Sequence, residues 1–162
     1  MKHILQALLA AFVLAASSAN AGTPATDGTR TVVFVCEHGS VKSLMASEYF
    51  NRAASERGLP FRAVARGIQP EERVPGRIVE RLREDGFDAS GFRPQAVAAT
   101  DVAGAARVVA IGIDVSALPP QAEPQQWNDV PPASVDYAAA RERIQQHVHA
   151  LLDELAAADP QP

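Results

Sequence analysis

The stretch from Thr31 to Ser43, TVVFVCEHGSVKS, limits the fold more than any other part of the chain. Thr31 to Val35 are β-branched or aromatic, which is the length and composition of a buried strand. Cys36 follows, then a loop containing Gly39 and Lys42, and Ser43 opens a helix. Residues 43–57 carry Met45, Ala46, Tyr49, Phe50 and Ala53 at spacings of three and four, the apolar stripe of an amphipathic helix. Gly58 and Pro60 end it. A strand that runs straight into a helix through a short loop is the opening of an α/β unit.

The rest of the chain repeats that alternation. "PFRAVARG" predicts a second strand. Pro75 stands as a first-turn proline before an apolar stripe of Ile78, Val79 and Leu82 that stops at Gly86. Thr100 or Asp101 caps a further short helix, and "RVVAIGI" predicts the third strand. Residues 118–132 carry five prolines and read as a loop, with a weak strand near Gln125 to Trp127. Residues 134–157 predict the last helix, with Ile144, Val148, Leu151, Leu152 and Leu155 on one face. Strands alternating with helices imply an α/β fold, a parallel sheet with helices on both faces. Ligands in such sheets bind beyond the carboxyl ends of the strands. Cys36 and its loop lie at such an end.

The 162 residues allow one domain with a substantial core. Residues 1–21 are expected to be a signal peptide rather than part of that domain. They have a basic start, an apolar run from Ile4 to Ala16, and Ala19-Asn20-Ala21 as a small-x-small cleavage site. The run is short for a membrane span, which needs about 20 apolar residues. The expected organisation is therefore a signal peptide at 1–21, a flexible leader at 22–30, and one domain at 31–158. The expected location is the periplasm or the exterior, with no membrane attachment after cleavage. A formal net charge of −4 and a pI near 5.5 argue against nonspecific nucleic-acid binding. The single cysteine, Cys36, excludes an internal disulfide. Outside the cytoplasm a lone thiol is a liability unless it is buried or used.

The loop indicates a use. Backbone N–H groups between a buried strand and a helix start can converge on an anion, and the helix end adds positive potential. A cysteine at the first loop position sits beneath that anion in the same field, which favours the nucleophilic thiolate. Ser43 can donate a hydrogen bond to the sulfur. Gly39 permits a left-handed turn that lets the amides of Glu37, His38, Ser40 and Val41 converge. Lys42 adds a full positive charge. The result is a nucleophile under an oxyanion cradle.

At these residues the chain resembles the low-molecular-weight protein tyrosine phosphatases and the related thioredoxin-coupled arsenate reductases, whose loop reads Cys, five residues, Arg, then Ser or Thr. Here it reads Cys36, five residues, Lys42, Ser43. The segment from Val74 to Gly112 resembles the family's helix, Gly turn and third strand, and "WNDV" resembles its late acid loop. The family usually has Asp-Pro where this chain has Asp129-Val130-Pro131. The resemblance implies a four-stranded parallel sheet flanked by helices. It implies that Cys36 attacks phosphorus to form a phosphocysteine, that the loop amides hold the equatorial oxygens, and that Asp129 protonates the leaving group and then activates water. It implies a phosphomonoester or inorganic oxyanion as partner, with no cofactor and no protein partner identified.

Two departures stand out. Arginine grips phosphate with a planar fork, whereas lysine is a flexible point charge. Yet the chain beyond residue 21 has thirteen arginines and this one lysine, which marks Lys42 as retained for a different oxyanion or a looser grip. The arsenate reductases of this type also need further thiols, so the internal disulfide relay is excluded by count, whereas arsenate binding is not. Two other readings of the loop therefore stand beside a phosphatase: a catalytically weak oxyanion-binding module, and a single-thiol redox sensor.

The remaining candidates are weaker. Glu37 beside a thiolate is electrostatically awkward and is expected to face solvent, and His38 reads as an exposed loop residue. Trp127 is counted with the substrate-binding candidates; it and Tyr137 either wall an aromatic slot or pack the core. Asp136 is the alternative acid but reads more as a cap of the last helix, and Asp114 has a slight claim as an acid. His147 and His149, two apart, do not share a helix face, so no metal site is expected.

Overall fold

The computed structural model describes residues 28–158. The expected signal peptide and most of the expected leader lie outside the described residues. Strand β1 spans Arg30–Cys36, so Arg30, expected in the leader, is already strand. It is followed by α1 (Lys42–Glu56), β2 (Phe61–Gly67), α2 (Gly76–Glu84), α3 (Ala99–Ala103), β3 (Ala105–Ile111), a 3₁₀ turn at Val115–Ala117, β4 (Gln125–Trp127) and α4 (Tyr137–Ala158). The four strands form one parallel sheet in the order β2-β1-β3-β4. The fold class is the expected α/β fold.

The alternation of β1 assigns its side chains to two cores. Val32, Phe34 and Cys36 face the larger cluster, with Leu44 and Phe50 of α1 and Ile144 and Leu151 of α4. Val33 and Val35 face the other, with Val102, Val108 and Leu118. This period of two is why Cys36 ends up beneath the start of α1. It continues the row that α1 covers. Because β1 lies centrally, with β2 on one side and β3 on the other, its carboxyl end is the point where the chain's crossovers diverge, the usual ligand position in such sheets.

The last helix starts later than its apolar pattern indicates. Pro131 and Pro132 are followed by turns to Asp136 before α4 begins at Tyr137. Asp136 caps it as expected, its carboxylate accepting from the Ala139 amide at 2.9 Å. Tyr137 and Arg141 then fasten α4 to the end of α2. The Tyr137 hydroxyl donates to Asp85 at 2.7 Å, and an Arg141 guanidinium nitrogen donates to the other oxygen at 2.6 Å. Burial of Asp85 favours its neutral form, but the hydrogen bonds from Tyr137, Arg141 and Tyr49 outweigh it and hold the carboxyl below its ordinary value. Burial, with the hydrogen bond to Asp85, pushes Tyr49 up to about 12.

The sign of the resulting pH dependence follows. A carboxyl whose value falls on folding stabilises above its unfolded value, near 3.9, and loses that contribution as pH drops through the folded value. Asp85→Asn is expected to cost about 1.5–3 kcal/mol at neutral pH, the range for a hydrogen bond to a charged group. Urea unfolding should show the gap from wild type shrinking below pH 4. A gap that stays constant down to pH 2 would show that Asp85 acts without its charge.

Candidate active site

The loop after β1 is held by its carbonyls. Those of Cys36, Glu37 and His38 accept from the amides of Ile68 at 3.1 Å, Gln69 at 2.8 Å and Glu71 at 3.1 Å. In a planar trans peptide the N–H opposes the carbonyl. The amides of Glu37, His38 and Gly39 therefore point away from the 68–71 segment. Among the described residues, no amide from 37 to 43 donates to a protein acceptor. Val41 is the N-cap of α1 and makes no side-chain cap bond, so the positive end of a 15-residue helix is left open at the same place. An anion is the natural partner of such an arrangement.

Gly39 is what permits the turn. Its φ is +67°, and a β-carbon there would stand 2.9 Å from the amide nitrogen of Gly67. Gly67 answers from the end of β2: its own missing β-carbon would stand 2.7 Å from the nitrogen of Gly39. The two glycines let the cradle loop and β2 approach to backbone contact.

Cys36 is 3% exposed, and its Sγ lies 3.1 Å from Oγ of Ser43, which is fully buried. That is the expected serine–sulfur contact. Ser40 is also fully buried and donates to a carboxylate oxygen of Glu71. Glu71 thus holds the loop twice, through its amide to His38 and its side chain to Ser40.

A cavity of about 290 Å³ opens over this loop. Cys36, Glu37, His38, Ser40, Val41 and Lys42 line it from the loop side. Glu71, Pro75, Arg77 and Ile78 form another wall, and Pro132, Ala133 and Ser134 a third. Glu37 and His38 are exposed, as expected, and His38 Nδ1 lies 3.3 Å from the Gln69 carbonyl. Lys42 is half-buried and leans across the next loop, its Nζ 2.6 Å from where a β-carbon on Gly112 would stand.

Two expected residues fall elsewhere. Trp127 does not wall the cavity. It is 1% exposed, packed on Phe34 at 5.3 Å and stacked on His147 at 4.7 Å, because β4 pairs Trp127 with Ile111 and turns it into the larger core. Of its two open readings, core packing holds. No Phe, Tyr or Trp side chain among the described residues lines the Cys36 cavity.

Asp129 lines a different cavity, against α4. His147 Nε2 lies 2.7 Å from its Oδ1, and Arg143 Nε 3.4 Å from its Oδ2. The His147 hydrogen bond holds its carboxyl below the ordinary value, which opposes acid behaviour in this position. His147, expected to be a solvated helix residue, is therefore the anchor of the Asp129 loop.

Arg77 and Glu71 were not foreseen. Arg77 is exposed in the first turn of α2 and makes no ion pair or side-chain hydrogen bond among the described residues. The signal available was position. Glu71 follows β2 by four residues, and Arg77 opens the helix after it, so both belong to the carboxyl edge of the sheet where the Cys36 loop lies.

A cysteine under unpaired amides at a helix start, on the carboxyl edge of a parallel sheet, defines a thiol-based oxyanion site. The comparisons agree. The model of the low molecular weight phosphotyrosine protein phosphatases matches residues 31–126, and the chain belongs to that family. The match stops one residue before Trp127 and so does not reach Asp129.

A low molecular weight protein tyrosine phosphatase from T. tengcongensis is 25% identical with a TM-score of 0.66, over 78% of this chain and 99% of that one. An arsenate reductase from Archaeoglobus fulgidus is 26% identical with a TM-score of 0.61, over 75% of this chain and 98% of that one. A thioredoxin-dependent arsenate reductase from Corynebacterium glutamicum shares the fold at 20% identity, TM-score 0.66, over 81% of this chain and 64% of that one. No curated protein matches the sequence.

Proposed function

We propose that the chain is an exported phosphomonoesterase working through a phosphocysteine on Cys36. The observation that carries this is the buried Sγ, bonded to Ser43, beneath a run of amides with no protein acceptor. The thiolate attacks phosphorus, the bond from phosphorus to the leaving oxygen breaks, and that oxygen takes a proton. Water then attacks the phosphocysteine, the S–P bond breaks, and inorganic phosphate leaves with the thiolate restored. The amides of residues 37–43 and the end of α1 stabilise the equatorial oxygens. Ser43 stabilises the sulfur each time it departs, and Lys42 supplies charge without arginine's bidentate fork.

Asp129 as proton donor belongs to this proposal. Its loop borders the cavity through Pro132, Ala133 and Ser134, and its carboxyl reaches the leaving oxygen only after releasing His147 and Arg143. Asp129→Asn is expected to slow alkyl phosphates, which leave poorly, by 10²-fold or more, on the order of a general acid's contribution, and nitrophenyl phosphate far less. Equal slowing of both would remove Asp129 from the reaction.

The direct test uses protein recovered from the periplasm of an expressing bacterium and beginning at Gly22. Mixed with p-nitrophenyl phosphate and quenched in acid, it should carry one phosphoryl group on the Cys36 peptide by mass spectrometry. Protein retained in the cytoplasm with Met1 would remove export, and hydrolysis without the adduct would remove the covalent step. Absence of hydrolysis, with thermal stabilisation by phosphate or arsenate, would leave an oxyanion-binding module. A Cys36 sulfenate or mixed disulfide in the recovered protein, without hydrolysis, would leave a single-thiol redox sensor.

A further inference from the structure

The Cys36 cavity does not end at its own wall. Arg77, Ile78, Ala133 and Ser134 also line a second cavity of about 250 Å³, which continues between α2 and the start of α4. Its further lining is Arg81, Val135 and Tyr137.

The two halves differ in charge. The Cys36 half mixes two carboxylates, Glu37 and Glu71, with Lys42 and the shared Arg77. The second half has two guanidinium groups and no carboxylate. Arg77 and Arg81 are four apart on α2 and so share a helix face. Arg77 has no partner among the described residues, and Arg81 meets only Glu84, at 3.0 Å with both side chains largely exposed, a pair of small net worth. Beside them Val135 is 83% exposed, the exposed large hydrophobic side chain among the described residues.

We propose that this second cavity is a subsite for the chain flanking a phosphorylated residue, and that it selects phosphopeptides with an acidic side chain next to that residue. The two arginines receive the carboxylate, and Val135 offers an apolar contact to its neighbour. A peptide fits better than a small ester because the second cavity adjoins the Cys36 cavity through four shared residues, and because it combines cationic and apolar contacts. The inference rests on the phosphatase reading for the identity of the phosphoryl site.

The test compares two fluorescein-labelled phosphotyrosyl peptides that differ only in flanking Glu or Gln. Their turnover by the wild type and their binding to Cys36→Ser are both measured. The Glu peptide should bind about three- to tenfold tighter in low salt, with the gap closing as salt rises. Arg77→Gln and Arg81→Gln, each placed in the Cys36→Ser background, should move the ratio toward one.

Equal binding of the two peptides, or a ratio that survives both substitutions, overturns the subsite. Turnover of both peptides without preference overturns the subsite and keeps the phosphatase. Preferential binding without turnover by the wild type keeps the subsite and overturns the phosphatase. Absence of both binding and turnover overturns both.

Discussion

Cys36→Ser should abolish hydrolysis of p-nitrophenyl phosphate, with kcat falling by roughly 10⁴-fold or more, the scale seen when a covalent nucleophile is removed. The replacement keeps the size and polarity of the group and replaces only sulfur by oxygen. The Ser43 hydroxyl, 3.1 Å away, still has a partner, so the packing under the loop survives. What is lost is the sulfur nucleophile, because an alcohol oxygen is a far weaker one than sulfur unless a general base activates it. The amides of residues 37–43 are untouched, so thermal stabilisation by phosphate should persist in the variant. Loss of turnover with retained phosphate binding identifies the sulfur as nucleophile. Residual activity above a tenth of wild type would end the covalent mechanism, whatever the variant's affinity for phosphate.

The second large effect lies in the backbone. Gly39→Ala forces an L-residue into a left-handed conformation, a cost of about 1–2 kcal/mol. It also drives a β-carbon to 2.9 Å from the Gly67 nitrogen and 3.1 Å from the Arg66 carbonyl carbon. Overpacking against backbone adds roughly 1–3 kcal/mol, because no rotamer can relieve it.

Gly67→Ala lacks the conformational penalty but meets His38 and Gly39 at 2.7–2.8 Å. β2 is hard to shift here, since Gly67 also exchanges backbone hydrogen bonds with the 95–97 segment, at 2.9 and 3.0 Å. Each variant should lower the urea midpoint and cut turnover by opening the cradle. The double variant should lose less stability than the sum, since both relieve their strain by parting the same two segments. Strict additivity would mean that the loop and β2 move independently.

How much of this was legible depended on the distance over which each residue's neighbours are set. β1, the Cys36 loop and α1 follow from local patterns, a period of two passing through a glycine turn to a period of 3.6, so the serine–sulfur contact was readable. Trp127 stayed open between two readings because its side depends on three residues of β4 registering against β3. The direction of Asp129 depends on His147, eighteen residues on in α4, and no local rule ties the two. Arg77 and Glu71 join the cavity only because β2 lies beside β1, a property of strand order rather than of either segment.

The lean of Lys42 over Gly112 has one more consequence. The ammonium occupies the room that a side chain at 112 would need, and Gly112 itself is outside the cavity. The resting place of the Lys42 ammonium thus depends on a glycine just past the end of β3. Any side chain at 112 displaces that ammonium from its resting place, so in the proposed function the grip on an oxyanion is adjustable from a position outside the cavity.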